Sequence, residues 1–163
     1  MIRLERRVPN VRLGRLHDGQ IMSVDLAHLL VGRKALIVGV PGAFTPVCTE
    51  KHVPDLVANA PALRAAGFSR LICLAPNDPF VLALWKERLD PEDRIEFYSD
   101  GNFAFSKAMG LTEDLSALFL GRRTKRFLMT LTDGVIDKLS VEENSLNLTC
   151  TRPGLYGAIE LAA

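Results

Sequence analysis

The sequence predicts an α/β fold built on a mixed sheet, and three observations carry that expectation. Two short continuous apolar runs, "ALIVGV" and "RLICLA", have the length and composition of strands buried on both faces. Segments with helix-start and helix-stop residues lie between and after them. Asp-Gly pairs at 18–19 and 133–134 join strand-forming stretches and mark a hairpin near each end of the chain. Strands that alternate with helices and close on a hairpin give a mostly parallel sheet with an antiparallel part. Right-handed crossovers narrow the arrangement further.

The elements follow in order. "VRLGRLHDGQIM" reads as an N-terminal β-hairpin turning at Asp18-Gly19, and Ser23 is expected to cap a short helix over "VDLAHLL" that ends at Gly32. After the strand "ALIVGV", a helix is expected from Pro46 to about Ala66, stopped by Gly67. Pro54 has no N–H for the helical ladder, so it should kink or divide that helix. "RLICLA" gives the second buried strand, and Asp78-Pro79 supplies the cap and first residue of "FVLALWKERL". "RIEFYSD" reads as a third strand and "NFAFSKAM" as a helix stopped by Gly110. "RFLMTLTDGVIDKLSV" is the second hairpin, and "LYGAIELAA" is expected to form a short C-terminal helix. With 163 residues and no repeat, low-complexity stretch or linker, the chain reads as one domain, 1–163. This order is compatible with a thioredoxin-like core, which other α/β folds also resemble, and it assigns no function.

Composition excludes several classes. The formal charge of +1 gives no support to nucleic-acid binding. Arg122, Arg123, Lys125 and Arg126 make one basic cluster, which by charge alone reads as a solvated loop. The longest apolar runs are too short to cross a bilayer, and "MIRLERRVPN" leads into no signal-peptide core. Three widely spaced cysteines form neither a secreted disulfide framework nor a Cys-x-x-Cys zinc motif, so a reducing cytoplasm is expected.

The chemistry concentrates in "GVPGAFTPVCTEKHVPDL", which begins at Gly39. Thr45 is placed to cap a helix whose first residue is Pro46, and Cys48 then falls in the first turn. Unpaired N–H groups and the positive end of the helix dipole favour a thiolate there. Such settings lower a cysteine pKa from about 8.5 to roughly 3.5–7.5. The alternative is a Cys48 that serves as a small buried hydrophobe. Pro41 and Pro46 stiffen the loop. Thr45 stands where a dithiol motif would need a second cysteine, so Cys48 reads as a lone attacking sulfur. The Thr45 hydroxyl can exchange hydrogen bonds with a polar substrate such as a peroxide.

Cys73 lies in a core strand and reads as an inert thiol. Cys150, between "EENSLNLT" and "TRPG", reads as an exposed loop cysteine suited to condense with a sulfenic acid at Cys48. His52 could share the helix face of Cys48, as a base, an orienting group or a buried polar residue making one hydrogen bond. A Cys–His hydrolase would need a third orienting group, and neither His17 nor His28 has a distinctive context. Glu50 is expected to point away from the sulfur.

"VPGAFTPVCTEKHVP" resembles the active-site segment of peroxiredoxins, whose Pro-x-x-x-Thr-x-x-Cys signature is met by Pro41, Thr45 and Cys48. The Pro-Gly-Ala-Phe-Thr-Pro form is similar to the atypical two-cysteine subfamily that includes the plant type II enzymes. The likeness continues through "CLAPNDPFVLALW", "YSDGNFAFSKAMGL", "RRTKRF" and "DGVIDKLSVEE" to "LTC".

The resemblance implies a thioredoxin-like fold and a thiol peroxidase acting on hydrogen peroxide and organic hydroperoxides. Cys48 would be the peroxidatic cysteine, Thr45 would bind the peroxide, Pro41 would shield the sulfenate, and Arg126 in "KRF" would be the site arginine. Cys150 would be the resolving cysteine, with Cys73 as the alternative. No metal or organic cofactor is implied. Thioredoxin would reduce the disulfide; in a one-cysteine cycle, glutathione or glutaredoxin would act on Cys48 directly. A homodimer is implied, across a face where Trp85 and Phe119 have counterparts, although both could be core residues. "TRPGLYGAIELAA" departs from the family's usual C-terminus. A peroxide sensor or holdase is the rival reading, and the extended partner-binding segment or charged tail it would want is not found.

Overall fold

The structure, a computed structural model, describes residues 6–154. In chain order it begins with β1 (Arg6–Arg7), β2 (Arg12–His17), β3 (Gln20–Asp25), α1 (Leu26–Leu30) and β4 (Lys34–Gly39). A π-helical turn, Cys48–His52, then leads into α2 (Val53–Ala65). β5 (Arg70–Ala75), α3 (Pro79–Leu89), β6 (Glu96–Ser99) and α4 (Ala104–Ala108) follow. β7 (Thr112–Asp114) and β8 (Arg122–Thr124) pair with each other, and β9 (Phe127–Thr132) and β10 (Val135–Val141) form the second hairpin.

One sheet of eight strands runs in the order β1-β10-β9-β4-β5-β6-β2-β3. β4, β5 and β6 are parallel, while β9 joins β4 and β2 joins β6 antiparallel. The mixed sheet expected from the sequence is therefore present, with the N-terminal hairpin β2–β3 along one edge. It is mostly antiparallel, not mostly parallel as expected, because both hairpins and β1 join the parallel β4–β5–β6 centre in antiparallel pairs. Its turn has positive φ at both Asp18 and Gly19, the geometry a two-residue hairpin needs to match strand twist. Strand alternation sends Leu36, Val38, Leu71, Cys73 and Leu128 to one face, where they pack with Leu56, Leu63 and Trp85. Ala35, Ile37, Ile72, Leu74 and Met129 take the other face, with Leu26, Leu30 and Phe105.

One helix start differs from the expectation. Ser23 lies within β3, and α1 starts after Asp25 with no side-chain cap. The hairpin strand simply runs on to Asp25, because Val24 and Asp25 still pair with Leu13 and Arg12. Pro54 does divide its helix, through a widened turn: the Val53 N–H bonds to the Cys48 carbonyl five residues back, just before the proline that cannot donate. A further proline, Pro61, sits inside α2 without ending it. The C-terminal helix over "LYGAIELAA" falls outside the described residues. The Asp78 cap is made as expected, its carboxylate accepting from the N–H groups of Phe80 and Val81.

Candidate active site

The chain leaves β4 through Gly39, where an added Cβ would overlap the ring of Phe127. Beyond it the loop from Pro41 to Thr45 is braced on both sides. Asn77 Oδ1 accepts from the Ala43 N–H at 2.7 Å, and Arg123 Nη1 donates to the Pro41 carbonyl at 3.3 Å. Arg123 Nε also donates to the Leu120 carbonyl at 2.6 Å. A Cβ on Gly42 would lie 2.6 Å from Arg123 Nη1, so a side chain there would push the end of that guanidinium aside. Phe44 holds a left-handed φ of 62°, and its ring tilts over Trp85 at 6.5 Å. The two prolines thus account for only part of the stiffness.

Helical structure begins at Pro46, as the sequence implies, with Cys48 in the first turn. Thr45 is not its side-chain cap. Its hydroxyl donates instead to the Gly42 carbonyl at 2.7 Å, which closes the loop and leaves the oxygen lone pairs available as acceptors. Glu50 is exposed and points away from the sulfur, as expected.

Cys48 is fully buried, and its Sγ accepts a hydrogen bond from Arg126 Nη2 at 3.0 Å. Strand parity selects this arginine. Phe127 faces one core and Leu128 the other, so Arg126, two residues before Leu128, faces the side that holds Cys48. Arg126 is 1% exposed, which corrects the reading of the basic cluster as a solvated loop. A guanidinium buried so completely must find partners for its donors. Nε donates to the Ser145 carbonyl at 2.9 Å, Nη1 to His52 Nδ1 at 2.8 Å, and Nη2 to the sulfur. The Arg126 backbone N–H donates to Ser145 Oγ at 2.9 Å. Thr124 in β8 is held by Ser106, which itself donates to the buried Asp100.

His52 is more engaged than a buried polar residue with one bond. Its Nδ1 faces Arg126, and its Nε2 lies 2.8 Å from the Thr151 carbonyl. Burial, reinforced by the Arg126 charge, pushes its pKa down to about 3, against opposing effects from Thr151 and Glu142. It is a neutral imidazole at physiological pH. Neither nitrogen addresses Cys48, so the Cys–His pair of a hydrolase is not formed. The i, i+4 spacing was visible in sequence, but only the tertiary fold brings Arg126 and Thr151 to the ring.

The segment that carries Cys150 is clamped by Glu142. This carboxylate accepts from Thr149 N and Oγ1, Cys150 N, and Thr151 N and Oγ1, at 2.6 to 3.2 Å. Burial pushes its pKa up, but the bonds from Thr149 and Thr151 outweigh this and hold it below the usual value. Sequence offered no signal for this role, since "VEEN" reads as surface. Cys150 itself is exposed, whereas Cys73 is fully buried in the same core as Cys48. Burial first, and the neighbouring Cys48 second, push the Cys73 thiol far up, in keeping with an inert thiol. All three cysteines are unpaired in this structure.

A cavity of about 100 Å³ opens above this network, with Pro41, Thr45 and Arg126 on its wall and Leu115, Leu120 and Leu146 around it. Trp85 and Phe119 part company: Trp85 is fully buried and donates to Thr49 Oγ1 at 3.1 Å, while Phe119 is 98% exposed.

The fold thus brings together a buried cysteine, an arginine on its sulfur and a small cavity with a threonine and a proline on its wall. The Redoxin family model matches residues 4–159. The chain is 38% identical over 145 residues to peroxiredoxin-2E-2, chloroplastic, of Oryza sativa subsp. japonica, covering 87% of this chain and 64% of that protein. It is 41% identical over 126 residues to peroxiredoxin-2F, mitochondrial, of Arabidopsis thaliana, covering 77% of this chain and 63% of the relative. The chain thus spans a little under two thirds of the length of these relatives. Among solved structures, reduced Prx3 from Vibrio vulnificus in complex with h2o2 matches with a TM-score of 0.90 and 31% identity, over 99% of this chain and 97% of that one. The likeness to solved structures along the whole chain bears out the thioredoxin-like fold. By motif, fold and family match together, the chain belongs to the Redoxin family and, within it, to the peroxiredoxins.

Proposed function

We propose that this peroxiredoxin is a thiol-dependent peroxidase in which Cys48 is the peroxidatic residue. The observation that carries the reading is the contact between Arg126 and the buried Cys48 sulfur, at 3.0 Å, beside a cavity sized for a peroxide group. A guanidinium that donates to sulfur favours the thiolate and can also steady charge that develops on a substrate oxygen. The thiolate attacks one peroxide oxygen. An S–O bond forms, the O–O bond breaks, and the departing alkoxide or hydroxide takes a proton and leaves as alcohol or water. Cys48 becomes a sulfenic acid, oxidised by two electrons. Thr45 already donates to Gly42, so it accepts from the peroxide O–H and orients it. Pro41, with its carbonyl held by Arg123, keeps water from the sulfenate.

Cys150 then resolves the sulfenic acid. Its thiolate attacks the Cys48 sulfur, S–S forms, S–O breaks, and hydroxide takes up a proton and leaves as water. A dithiol, in this reading thioredoxin, reduces the disulfide by exchange and is itself oxidised. The exposure of Cys150 and the inertness of Cys73 favour Cys150 for this part. A homodimer is part of the proposal. Phe119, almost fully exposed next to the cavity residue Leu120, is apolar surface that a second copy would cover. A reducing compartment suits three unpaired cysteines, and cytoplasm is the proposed one.

The test is a peroxidase assay coupled to thioredoxin, comparing wild type with Cys48→Ser and Cys150→Ser. Loss in both supports the disulfide route. Loss in Cys48→Ser alone replaces it with a one-cysteine cycle using glutathione or glutaredoxin. Turnover no faster than Cys48→Ser would end the peroxidase reading and leave the sensor. Sedimentation of Phe119→Ser, expected to shift toward monomer, tests the dimer.

A further inference from the structure

A chain of three hydrogen bonds links the buried reactive sulfur to the segment that carries the exposed thiol, Cys150. Cys48 Sγ accepts from Arg126 Nη2, Arg126 Nη1 meets His52 Nδ1, and His52 Nε2 meets the Thr151 carbonyl. Its polarity leaves no freedom. A guanidinium only donates, so Nδ1 must accept, and a carbonyl only accepts, so Nε2 must carry the proton. One neutral tautomer satisfies both ends, and the ring is wholly buried between them. Further along the same helical stripe, Asp55 accepts from the Gly154 N–H at 2.9 Å. The helix that positions Cys48 thus grips 151–154 at two points, while Glu142 grips 149–151 from the other side.

We propose that His52 is a positioning residue that couples the two cysteines. It holds Arg126 on the Cys48 sulfur and, through the same ring, holds Thr151 and hence Cys150 in its seat. Conversion of the thiolate to a neutral sulfenic acid removes the charge that Arg126 Nη2 faces and weakens that end of the chain. The ring loses its fixed partner, the bond to Thr151 loosens, and the 149–154 segment is released when there is a sulfenic acid to attack. The widened π turn Cys48–His52, in place of an α-helical one, is the element able to give way. The use of this release for a disulfide rests on the proposed role of Cys150.

Two variants separate the arms of the ring. In His52→Asn the amide oxygen reaches the place of Nδ1 and still accepts from Arg126, but the link to Thr151 is lost. In His52→Gln the amide nitrogen reaches the place of Nε2 and still donates to Thr151, but Arg126 loses its acceptor. Stopped-flow should show His52→Gln slowing Cys48 oxidation about tenfold, the value of one charge-assisted hydrogen bond, with disulfide formation near wild type. His52→Asn should keep Cys48 oxidation within about threefold of wild type while hydrogen exchange at 149–152 rises severalfold in the reduced protein. If both variants change both steps by the same factor, or neither changes either, the coupling is wrong.

A measurement free of His52 variants guards against misfolding and against failure of the Cys150 reading. In Cys150→Ser, where no disulfide to that position can form, one equivalent of peroxide should raise exchange at 149–154. Unchanged exchange once Cys48 is oxidised would overturn the coupling, whatever thiol completes the cycle. Exchange that rises in a wild-type protein that never forms the Cys48–Cys150 disulfide would keep the coupling and refute only the resolving role.

Discussion

Cys48 and Cys73 are two fully buried thiols in one hydrophobic core, and they are chemically unlike. Cys73 sits mid-strand in β5 with hydrocarbon neighbours, and burial drives its thiol far from ionisation. Cys48 sits in the first turn of a helix, and a guanidinium meets its sulfur. Burial by itself suppresses a thiolate; burial with a fixed cation concentrates the field on it. The difference lies in one side chain, Arg126, which enters this core just before β9.

Arg126→Lys should have the largest effect. A single ammonium cannot reach the Ser145 carbonyl, His52 and the sulfur together, so the rate constant for Cys48 oxidation should fall about 10²–10³-fold. A rate within threefold of wild type in stopped-flow would remove the guanidinium from the comparison, since about 0.7 kcal/mol is too little for it. Gly39→Ala comes next. Its methyl group must displace the Phe127 ring, the neighbour of Arg126, and overpacking of this kind costs about 1–3 kcal/mol, read as a lower denaturation midpoint.

The pH dependence of stability measures what it costs to bury the partner of Arg126. Unfolded, His52 takes up a proton below its ordinary value of 6.5, but in the fold it does so only near 3. The unfolded state therefore binds more protons in that window, and stability falls as pH falls through it. From about pH 7 to about pH 5 the loss due to this group is on the order of 2 kcal/mol, and urea titrations of His52→Asn should lack it. The smallest effect is expected of Cys73→Ala: turnover within about twofold of wild type and a stability loss of about 1 kcal/mol. A large loss of turnover would show that Cys73 takes part in the cycle, and the contrast with Cys48 would fail.

Much of this was legible in the chain. The Asp-Gly hairpins, the buried strands, the start at Pro46 and the cap at Asp78 depend on residues close in sequence, whose backbone preferences act locally. The cap signal at Ser23 is overridden because the strand that contains it pairs with β2, a tertiary fact. Local sequence places Thr45 in the right loop but not its bond, since the hydroxyl has two candidate partners and the tight turn brings the Gly42 carbonyl to it. Glu142 and Arg123 carry no local signal for bracing loops: Arg123 reaches Pro41 across the fold, and Glu142 meets 149–151 only once the irregular segment after β10 folds back on it.

The strand–helix order, the position of Cys48 in the first turn of a helix and the absence of a second cysteine at Thr45 are written in the chain alone. These follow from spacing, and spacing is local. Folding selects which of three nearby arginines reaches the sulfur, keeps His52 neutral between Arg126 and Thr151, and seats Cys150 in a clamp made by Glu142. The reason is parity and desolvation. Strand alternation turns Arg126 into the core that contains Cys48, and once buried there its donors must all be met, which draws in His52 and, through it, the segment with Cys150.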